Sequence, residues 1–318
     1  MGEGEWFSWA IVRFLRNGSG RKVGKSSIFP CYLAPMESRD FDIDGFLRMA
    51  LAEDIGDGDH TSLATIPESA RGAARLLVKD HGILAGVEIA QRVFRLVDDS
   101  LRFEPLLKDG MAVKPGDVAF TVAGPSRSIT TSERLALNIM QRMSGIATKT
   151  NHLASLIDDT GCRLLDTRKT TPGFRYFEKL AVRTGGGYNH RFGLYDMIMV
   201  KDNHVDYAGG MPEALRMVRE YLNRTGRDLR VEAEARNLDE VKAILDDGLV
   251  FRILLDNFTP DALREAVVLI GRRMETEASG GITEATIRSF AETGVDYISV
   301  GALTHQISSL DLSLKAIK

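Results

Sequence analysis

The segment LLDTRKTTPGFR, residues 164–175, decides the fold because it changes abruptly from apolar to cationic. The pair Leu164–Leu165 has the composition of a buried strand, and the cations Arg168 and Lys169 follow within four positions. Two like charges about 4 Å apart repel by roughly 4 kcal/mol at an effective dielectric constant near 20. Two adjacent cations at the end of a strand therefore indicate an anionic ligand that offsets their repulsion.

Short apolar runs that end in a polar residue or a glycine recur throughout the second half of the chain. They are CRLLDTRK (162–169), YDMIMVKD (195–202), LRVEAEA (229–235), FRILLDN (251–257), METEASGG (274–281) and DYISVGA (296–302). Helical patterns lie between several of them, at 211–222, 238–247 and 260–270. Strands that alternate with helices predict a parallel sheet. Because every strand has a polar end, we expect an α/β barrel with its site at the carboxyl ends of the strands. The alternative is a doubly wound open sheet, which concentrates its site at one switch point.

The first half of the chain has a different pattern. Apolar residues recur at helical spacing after residue 40, and short runs separated by Gly and Pro then predict strands around a helix at 87–97. A long helix is predicted in SERLALNIMQRMSGIAT (132–148), with Ser132 as its N-cap. We therefore expect an α/β sandwich-like domain at 40–145 and the barrel domain at 146–318.

Composition excludes several classes of protein. Of the 318 residues 44% are hydrophobic and 27% charged, with a formal net charge of -3, which is the balance of a globular protein. The absence of a basic excess argues against a nucleic-acid partner, and no apolar run is long enough to cross a membrane. The two cysteines, Cys31 and Cys162, form no metal-binding pattern and suit a reducing compartment, so we expect a cytoplasmic protein.

The start of the chain is unlike the rest. Residues 6–36 contain basic residues and no acidic ones. We predict that residues 1–39 are a disordered extension, with Met36 as an alternative start. The other interpretation is an organelle-targeting peptide.

A barrel brings the ends of its strands together, so their polar residues predict a single pocket. These residues are Arg168, Lys169, Lys201, Glu232, Asp256, Ser279, Gly280, Gly281 and Gly301, with His190 and Arg191 from the loop TGGGYNHRFGLYD (184–196). Several converging cations are typical of a site for a polyanion. Carboxylates among them suit hydroxyl groups or a divalent cation, and glycines on the last two strands suit a phosphate.

Each of these residues also has an ordinary structural interpretation. Arg168 and Lys169 would also fit a solvated strand end, and His190 a hydrogen-bonded structural histidine. Glu234 lies on the same side of its strand as Glu232 and could replace it as a ligand. The functional interpretation depends on the agreement of all the strand ends.

At this point the residues resemble a known family, the quinolinate phosphoribosyltransferases. The matching blocks include ERLALNIMQRMSGIAT (133–148), DTRKTTPGFRYFEKLAVRTGGGYNHRFGLYDMIMVKDNH (166–204), LLDNF (254–258) and EASGGI (277–282). The resemblance covers nearly everything after residue 40. It implies an α/β N-terminal domain on an incomplete α/β barrel, in a homodimer whose partner completes each barrel mouth, with a hexamer as the larger alternative.

The resemblance also implies an activity. This is magnesium-dependent transfer of phosphoribosyl from phosphoribosyl pyrophosphate to quinolinate, with loss of carbon dioxide, to give nicotinate mononucleotide and pyrophosphate in NAD biosynthesis. The implied substrate-binding residues are Arg134, Thr167, Arg168, Lys169, His190, Arg191, Lys201, Glu232, Asp256, Ser279, Gly280, Gly281, Val300, Gly301 and Ala302. Among them Lys169, Lys201, Glu232 and Asp256 are the implied catalytic residues. Glu232 and Asp256 are also the implied contacts to Mg²⁺, and Arg134 would reach into the neighbouring subunit.

Three other functions fit parts of the pattern. A related phosphoribosyltransferase-like protein of the same fold would act on another acceptor, although the intact segments NHR (189–191) and KDNH (201–204) favour quinolinate. A Schiff-base barrel enzyme would use Lys201 as its nucleophile, which requires a lowered pKa in an apolar pocket. An inactive binding subunit would be expected to lack some of the pocket residues, and none is missing.

Overall fold

Two main sheets, one antiparallel and one parallel, organise the part of the chain that the structure describes. The structure is a computed structural model, and it describes residues 41–317. The predicted extension at 1–39 and Cys31 lie outside the described residues.

The secondary structure elements follow in chain order. They are α1 (Ile43–Ile55), α2 (His60–Thr65), β1 (Arg71–Val78), β2 (Gly82–Ile83), α3 (Val87–Val97), β3 (Arg102–Pro105), β4 (Ala112–Val113), β5 (Val118–Pro125), α4 (Ser126–Ser155), β6 (Arg163–Leu165), α5 (Arg175–Thr184), β7 (Ile198–Val200), α6 (Asp202–Ala208), α7 (Met211–Thr225), β8 (Val231–Ala235), α8 (Leu238–Asp247), β9 (Arg252–Asp256), α9 (Pro260–Ile270), β10 (Glu275–Ser279), α10 (Ile287–Ala291), β11 (Tyr297–Ser299), α11 (Ala302–His305) and β12 (Leu312–Ile317). All six predicted strands of the second half are confirmed, as are the three predicted helices between them.

The first sheet is antiparallel, with the strand order β12-β1-β5-β3. Along β1 the side chains of Ala74, Leu76 and Val78 are buried while their neighbours are more exposed, as expected for a sheet covered on one face. Helix α4 packs against β1, β5 and β12, and α3 packs against α4. The result is a layer of helices on a sheet, as the predicted sandwich-like domain requires.

Strand β12 lies in this first sheet although it comes from the far end of the chain. It pairs antiparallel with β1, where Ala73 lies opposite Ile317 and Val78 opposite Leu312. The range 146–318 that was expected to form the barrel therefore also supplies a strand to the N-terminal sheet.

Helix α4 begins earlier than the sequence predicts. It starts at Ser126, directly after Pro125 ends β5, and continues to Ser155. The prediction of Ser132 as the N-cap is wrong, because this residue is fully buried within the helix. Its hydroxyl donates to the carbonyl oxygen of Ser128 at 2.7 Å, the local hydrogen bond that serine makes inside a helix. The predicted domain boundary near residue 145 falls inside α4.

The second sheet is parallel and has the order β6-β11-β10-β9-β8-β7. Strands β7 to β11 lie side by side in chain order, and β6 joins the far edge beside β11. This is the order of a barrel that is open between β6 and β7. A doubly wound sheet would instead reverse its order at a switch point, so that alternative is wrong.

The interior of this barrel is lined by charged side chains. On β8 the alternate residues Val231, Ala233 and Ala235 join the apolar core outside the sheet. Between them Glu232 and Glu234 face the opposite side, and both are buried. Barrels of this kind are usually filled by branched aliphatic residues, so buried acids in the interior indicate a special arrangement beneath the site.

Within residues 41–317 no helix is long and apolar enough to cross a membrane.

Candidate active site

The two cations of the opening segment lie in the loop that follows β6. Strand pairing brings this loop beside the end of β11, where the Val300 backbone N–H donates to the Leu165 carbonyl oxygen at 3.0 Å. The hydroxyl of Thr304 then donates to the carbonyl oxygen of Lys169 at 2.8 Å. A Cβ atom at Gly301 would lie 3.0 Å from the Lys169 side chain, so a glycine here leaves room for that lysine.

Arg168 and Arg191 form a cationic pair at this mouth. Burial, together with the nearby charge of Arg168, lowers the pKa of the Arg191 guanidinium. Arg191 donates to the Met197 carbonyl oxygen at 3.1 Å, whereas the buried Nε of Arg168 has no hydrogen-bond partner among the described residues. Buried donors are nearly always paired, so this arrangement is one that an anion would complete.

Asp166, two residues before Arg168, holds the loop from below. Its carboxylate accepts hydrogen bonds from Lys179 Nζ at 2.5 Å, from Asn189 Nδ2 at 2.6 Å and from the His190 backbone N–H at 2.8 Å. The side chains of Asp166 and Lys179 are both fully buried. Burial raises the pKa of Asp166 and lowers that of Lys179, while the contact between them acts in the opposite direction on each.

Beneath the mouth lies a cluster of buried charges formed by His190, Glu232, Arg252 and Glu277. Nε2 of His190 lies 3.1 Å from a Glu232 oxygen and 3.5 Å from a Glu277 oxygen. Arg252 lies 3.2 Å from Glu277 and 4.0 Å from Glu232, and it also pairs with Glu275 at 2.7 Å. Glu232 and Glu277 come from alternate strands, as residues of one layer in a barrel do.

The two glutamates have opposite pKa shifts. Burial and the charge of Glu232 raise the pKa of Glu277 to about 7. Burial also acts to raise the pKa of Glu232, but His190 and Arg252 outweigh it and hold that pKa below its usual value. For His190 burial favours the neutral ring, yet the two glutamates outweigh it and raise the pKa. The cluster therefore keeps the Glu232 carboxylate ionised near neutral pH, while the Glu277 carboxyl group holds its proton up to a pH of about 7.

His190, Glu232 and Glu277 also have the composition of a metal site, with one donor atom from each within 4.8 Å of the others. The geometry of the histidine argues against a metal here. The Arg191 backbone N–H donates to Nδ1 of His190 at 2.7 Å, so the ring carries its proton on Nε2. Nε2 then faces the glutamates as a donor and offers no lone pair to an ion.

Lys201 and Glu234 form an ion pair at the ends of β7 and β8, with Nζ 2.9 Å from the carboxylate. The Lys201 backbone N–H donates to Nδ1 of His204 at 2.9 Å, which fixes the start of α6. Lys201 thus has a carboxylate partner and a half-exposed side chain. A Schiff-base nucleophile would instead require an apolar pocket.

Asp256 and Ser279 lie side by side at the carboxyl ends of the neighbouring parallel strands β9 and β10. Asn257 connects them: its Nδ2 donates to Asp256 at 2.5 Å, and its backbone N–H donates to the Ser279 carbonyl oxygen at 2.9 Å. Gly280 has a φ of +96°, and a Cβ atom there would lie 2.3 Å from Oδ1 of Asn257. Only glycine fits this position. Asn257 was not among the predicted site residues, although the block LLDNF contains it.

Of the remaining predicted residues, three lie at the carboxyl ends of the barrel strands and one, Arg134, does not. Thr167 accepts the backbone N–H of Lys169 at 3.1 Å, Ala302 begins α11, and Gly281 follows β10, so all three lie at the same ends of strands. Arg134 is exposed on α4 and makes no hydrogen bond or ion pair with residues 41–317. The structure therefore does not connect Arg134 with the mouth of its own chain.

Comparison with known proteins identifies the family. The model of the quinolinate phosphoribosyl transferase C-terminal domain matches residues 146–315, and that of the N-terminal domain matches residues 59–144. The chain belongs to the quinolinate phosphoribosyltransferase family. A probable nicotinate-nucleotide pyrophosphorylase (carboxylating) from Bacillus subtilis is 42% identical over 82% of this chain and 89% of its own length. The chloroplastic nicotinate-nucleotide pyrophosphorylase (carboxylating) of Oryza sativa is 44% identical over 89% of this chain and 80% of its own.

Solved structures of this phosphoribosyltransferase family have the same fold. The crystal structure of NadC from Streptococcus pyogenes superposes with a TM-score of 0.82 at 39% identity, covering 87% of this chain and 97% of that one. The nicotinate-nucleotide pyrophosphorylase from Francisella tularensis gives a TM-score of 0.81 at 38% identity, covering 86% and 96%. The α/β N-terminal sheet and the parallel sheet with helices are therefore the architecture of the family.

Proposed function

We propose that this protein transfers phosphoribosyl from phosphoribosyl pyrophosphate to quinolinate and releases carbon dioxide, forming nicotinate mononucleotide and pyrophosphate. The observation that carries this proposal is the match of the family across both halves of the chain. The cationic mouth agrees with it, because both substrates are polyanions. A different acceptor on the same fold has no observation in its favour.

Quinolinate carries two neighbouring carboxylates, and Arg168, Lys169 and Arg191 supply cations for them. The buried Nε of Arg168, which has no hydrogen-bond partner among the described residues, is a donor for such a contact. Nδ1 of His190 accepts the backbone N–H of Arg191, and Nε2 faces the glutamates beneath, 3.1 Å from Glu232. We therefore assign it to holding Arg191 in place, whereas the resemblance implied direct substrate contact.

The opposite side of the mouth suits phosphoribosyl pyrophosphate. Gly280, Gly281 and Gly301 carry no side chain that would keep a phosphate from their backbone N–H groups, as in other barrels of this class. Asp256 and Glu234 lie where the ribose hydroxyls would be bound. Lys201 would contact the substrates from the end of β7.

We propose that Mg²⁺ binds with phosphoribosyl pyrophosphate beside Glu234 and Asp256. Carboxylate oxygens are the hard donors that this ion takes in proteins, so the donor set fits it. When bound, Mg²⁺ would offset the negative charge of the pyrophosphate. Glu232, which the resemblance implied as a ligand, faces His190 and Arg252 deeper in the barrel, so we give its role to Glu234.

The reaction then proceeds by electrostatic stabilisation. The ring nitrogen of quinolinate attacks the ribose carbon as its bond to pyrophosphate breaks, which develops positive charge on the sugar and negative charge on the leaving group. Carboxylates near the sugar and cations near the leaving group stabilise these charges where they form. The 2-carboxylate then leaves as carbon dioxide, its bonding electrons remain beside the cationic nitrogen, and a proton takes its place.

We propose that the active site is shared within a homodimer, with a hexamer of such dimers as the larger alternative. Exposure of Arg134 on α4 supports this, because within residues 41–317 nothing pairs with its charge and a neighbouring subunit could take it up. Arg134→Ala should abolish activity, and mixing it with Arg168→Ala should restore part of it through hybrid dimers with one intact site. Failure of the mixture despite demonstrated subunit exchange would reject the shared site.

We also propose a cytoplasmic location. Cys162 is a free buried thiol, which agrees with a reducing compartment. The basic start of the chain makes an organelle the competing location. Fluorescent fusions of the full chain and of a chain that begins at Met36 would decide: organellar fluorescence of the full fusion alone would reject the cytoplasm.

The decisive experiment measures carbon dioxide and nicotinate mononucleotide from quinolinate, phosphoribosyl pyrophosphate and magnesium, with nicotinate as the control acceptor. Product from quinolinate alone is the expected result. Product from neither acceptor, with a folded protein, would reject the proposed activity.

A further inference from the structure

We propose that Asp166 and Lys179, the fully buried ion pair below the mouth, are positioning residues that set the spacing of the cations binding the two carboxylates of quinolinate. The proposal rests on the activity proposed above. Neither residue lies among the substrate-binding positions, and neither is needed to offset a charge of the substrate.

The first support is that one buried point ties together both cation-bearing segments. Asp166 belongs to the loop of Arg168 and accepts hydrogen bonds from the segment of His190. From the other side, Lys179 Nζ donates both to Asp166 and to the carbonyl oxygen of His190, at 2.5 and 3.0 Å. The backbones of the two segments are therefore fixed to each other through α5.

The second support is that the neighbouring residue of α5 holds the far end of the same loop. Glu178 is fully buried and accepts the backbone N–H of Thr171 at 3.1 Å. It also accepts Arg142 of α4 at 2.6 Å, and Arg142 in turn donates to the Thr304 carbonyl oxygen at 3.0 Å. Adjacent residues of one helix thus fix the cationic loop at both of its ends.

The third support is energetic. Burying an ion pair removes two charges from water, and an apolar pair of similar size is often as stable or more so. Stability alone therefore does not explain this pair. Arg168 and Arg191, in contrast, repel each other and would move apart if their backbones were free. A ligand with two carboxylates at a fixed separation needs both cations held in place before it binds.

The test is the double variant Asp166→Asn/Lys179→Met, which removes both buried charges and leaves neither unpaired. Calorimetry measures quinolinate binding, steady-state kinetics measure the KM of phosphoribosyl pyrophosphate, and thermal unfolding measures stability. We expect each single variant to be less stable than wild type and the double variant to recover most of that loss. Quinolinate binding should stay on the order of 10- to 100-fold weaker in the double variant, which is the size of effect expected when binding groups are misplaced. The KM of phosphoribosyl pyrophosphate should change little.

A matched control is Asp296→Asn at the opposite end of the barrel. Asp296 precedes β11 and accepts both the backbone N–H and the hydroxyl of Thr276, at 2.9 and 2.8 Å. This variant should lose stability and keep wild-type quinolinate binding. Lys179→Arg serves as a further variant that keeps the charge and alters its geometry, and it should fold while binding quinolinate more weakly.

The outcomes separate the two proposals. Wild-type quinolinate affinity in the folded double variant, or in Lys179→Arg if the double variant does not fold, would overturn the positioning role. Failure of the wild-type protein to bind or convert quinolinate would instead reject the proposed activity.

Discussion

Replacement of Glu277 by glutamine should make stability less dependent on pH. Glu277 is fully buried beside Glu232, and its pKa is raised from 4.5 to about 7 in the folded protein. Between these pH values the folded protein holds a proton that the unfolded chain has released. The free energy of unfolding therefore falls as the pH rises, by about 1.4 kcal/mol per pH unit and by about 3 kcal/mol across the window.

Glutamine has nearly the same shape as protonated glutamate and cannot ionise. In Glu277→Gln this part of the pH dependence is lost. The free energy of unfolding of the variant should therefore rise relative to that of wild type as the pH rises from 4.5 to about 7. The gain levels off above that window. Urea unfolding of both proteins at several pH values within the window measures it. The part of the protonated-carboxyl infrared band that wild type has and Glu277→Gln lacks reports the proton on Glu277 directly.

Glu232→Gln is the matched control. It removes the second cause of the raised pKa of Glu277 and leaves burial in place, so its pH dependence should lie between those of wild type and Glu277→Gln. Identical slopes for wild type and Glu277→Gln would refute the argument, because they would mean that folding does not raise the pKa of Glu277.

Three further predictions concern the mouth. Arg168→Ala should raise the quinolinate KM about 10- to 150-fold, since it removes a charge-assisted contact of about 1.5–3 kcal/mol; unchanged kinetics would remove Arg168 from the site. Gly280→Ala should cost about 1–3 kcal/mol in backbone strain and raise the KM of phosphoribosyl pyrophosphate. Gly281→Ala, which has space around its new methyl group, should raise that KM less, and equal effects would contradict the close approach at Gly280. Glu234→Gln should raise the magnesium concentration that gives half the maximal rate, and a larger effect from Glu232→Gln would return the ligand role to Glu232.

The elements of the barrel were predictable because their signals are local. An apolar run of strand length that ends in a polar residue needs no information from elsewhere in the chain, and all six runs form strands. The start of α4 was not predictable in the same way. Ser132 has the composition of an N-cap, but the helix continues on its N-terminal side because α4 packs against the first sheet.

The chemistry of the site was predictable from the sequence, whereas the level at which each side chain lies in the barrel was not. Strand alternation puts Glu232 and Glu234 on one side of β8, but their levels in the barrel depend on the stagger between strands, which no local pattern encodes. Lys179 was not recognised because a lysine in an amphipathic helix usually lies on the surface. Its burial depends on Asp166, which is distant enough in the sequence that the pair leaves no motif.

The pairing of β12 with β1 constrains the order in which the protein assembles during synthesis. The ribosome delivers β1 early and β12 after every other described element, yet Ala74 and Leu76 lie opposite Ala316 and Leu314 in the finished sheet. The edge of β1 thus stays open while the barrel strands emerge, and open strand edges favour association between chains. The first sheet of the chain is therefore among the last parts to be completed, and removal of the final strand would expose β1 in a protein whose barrel is already formed.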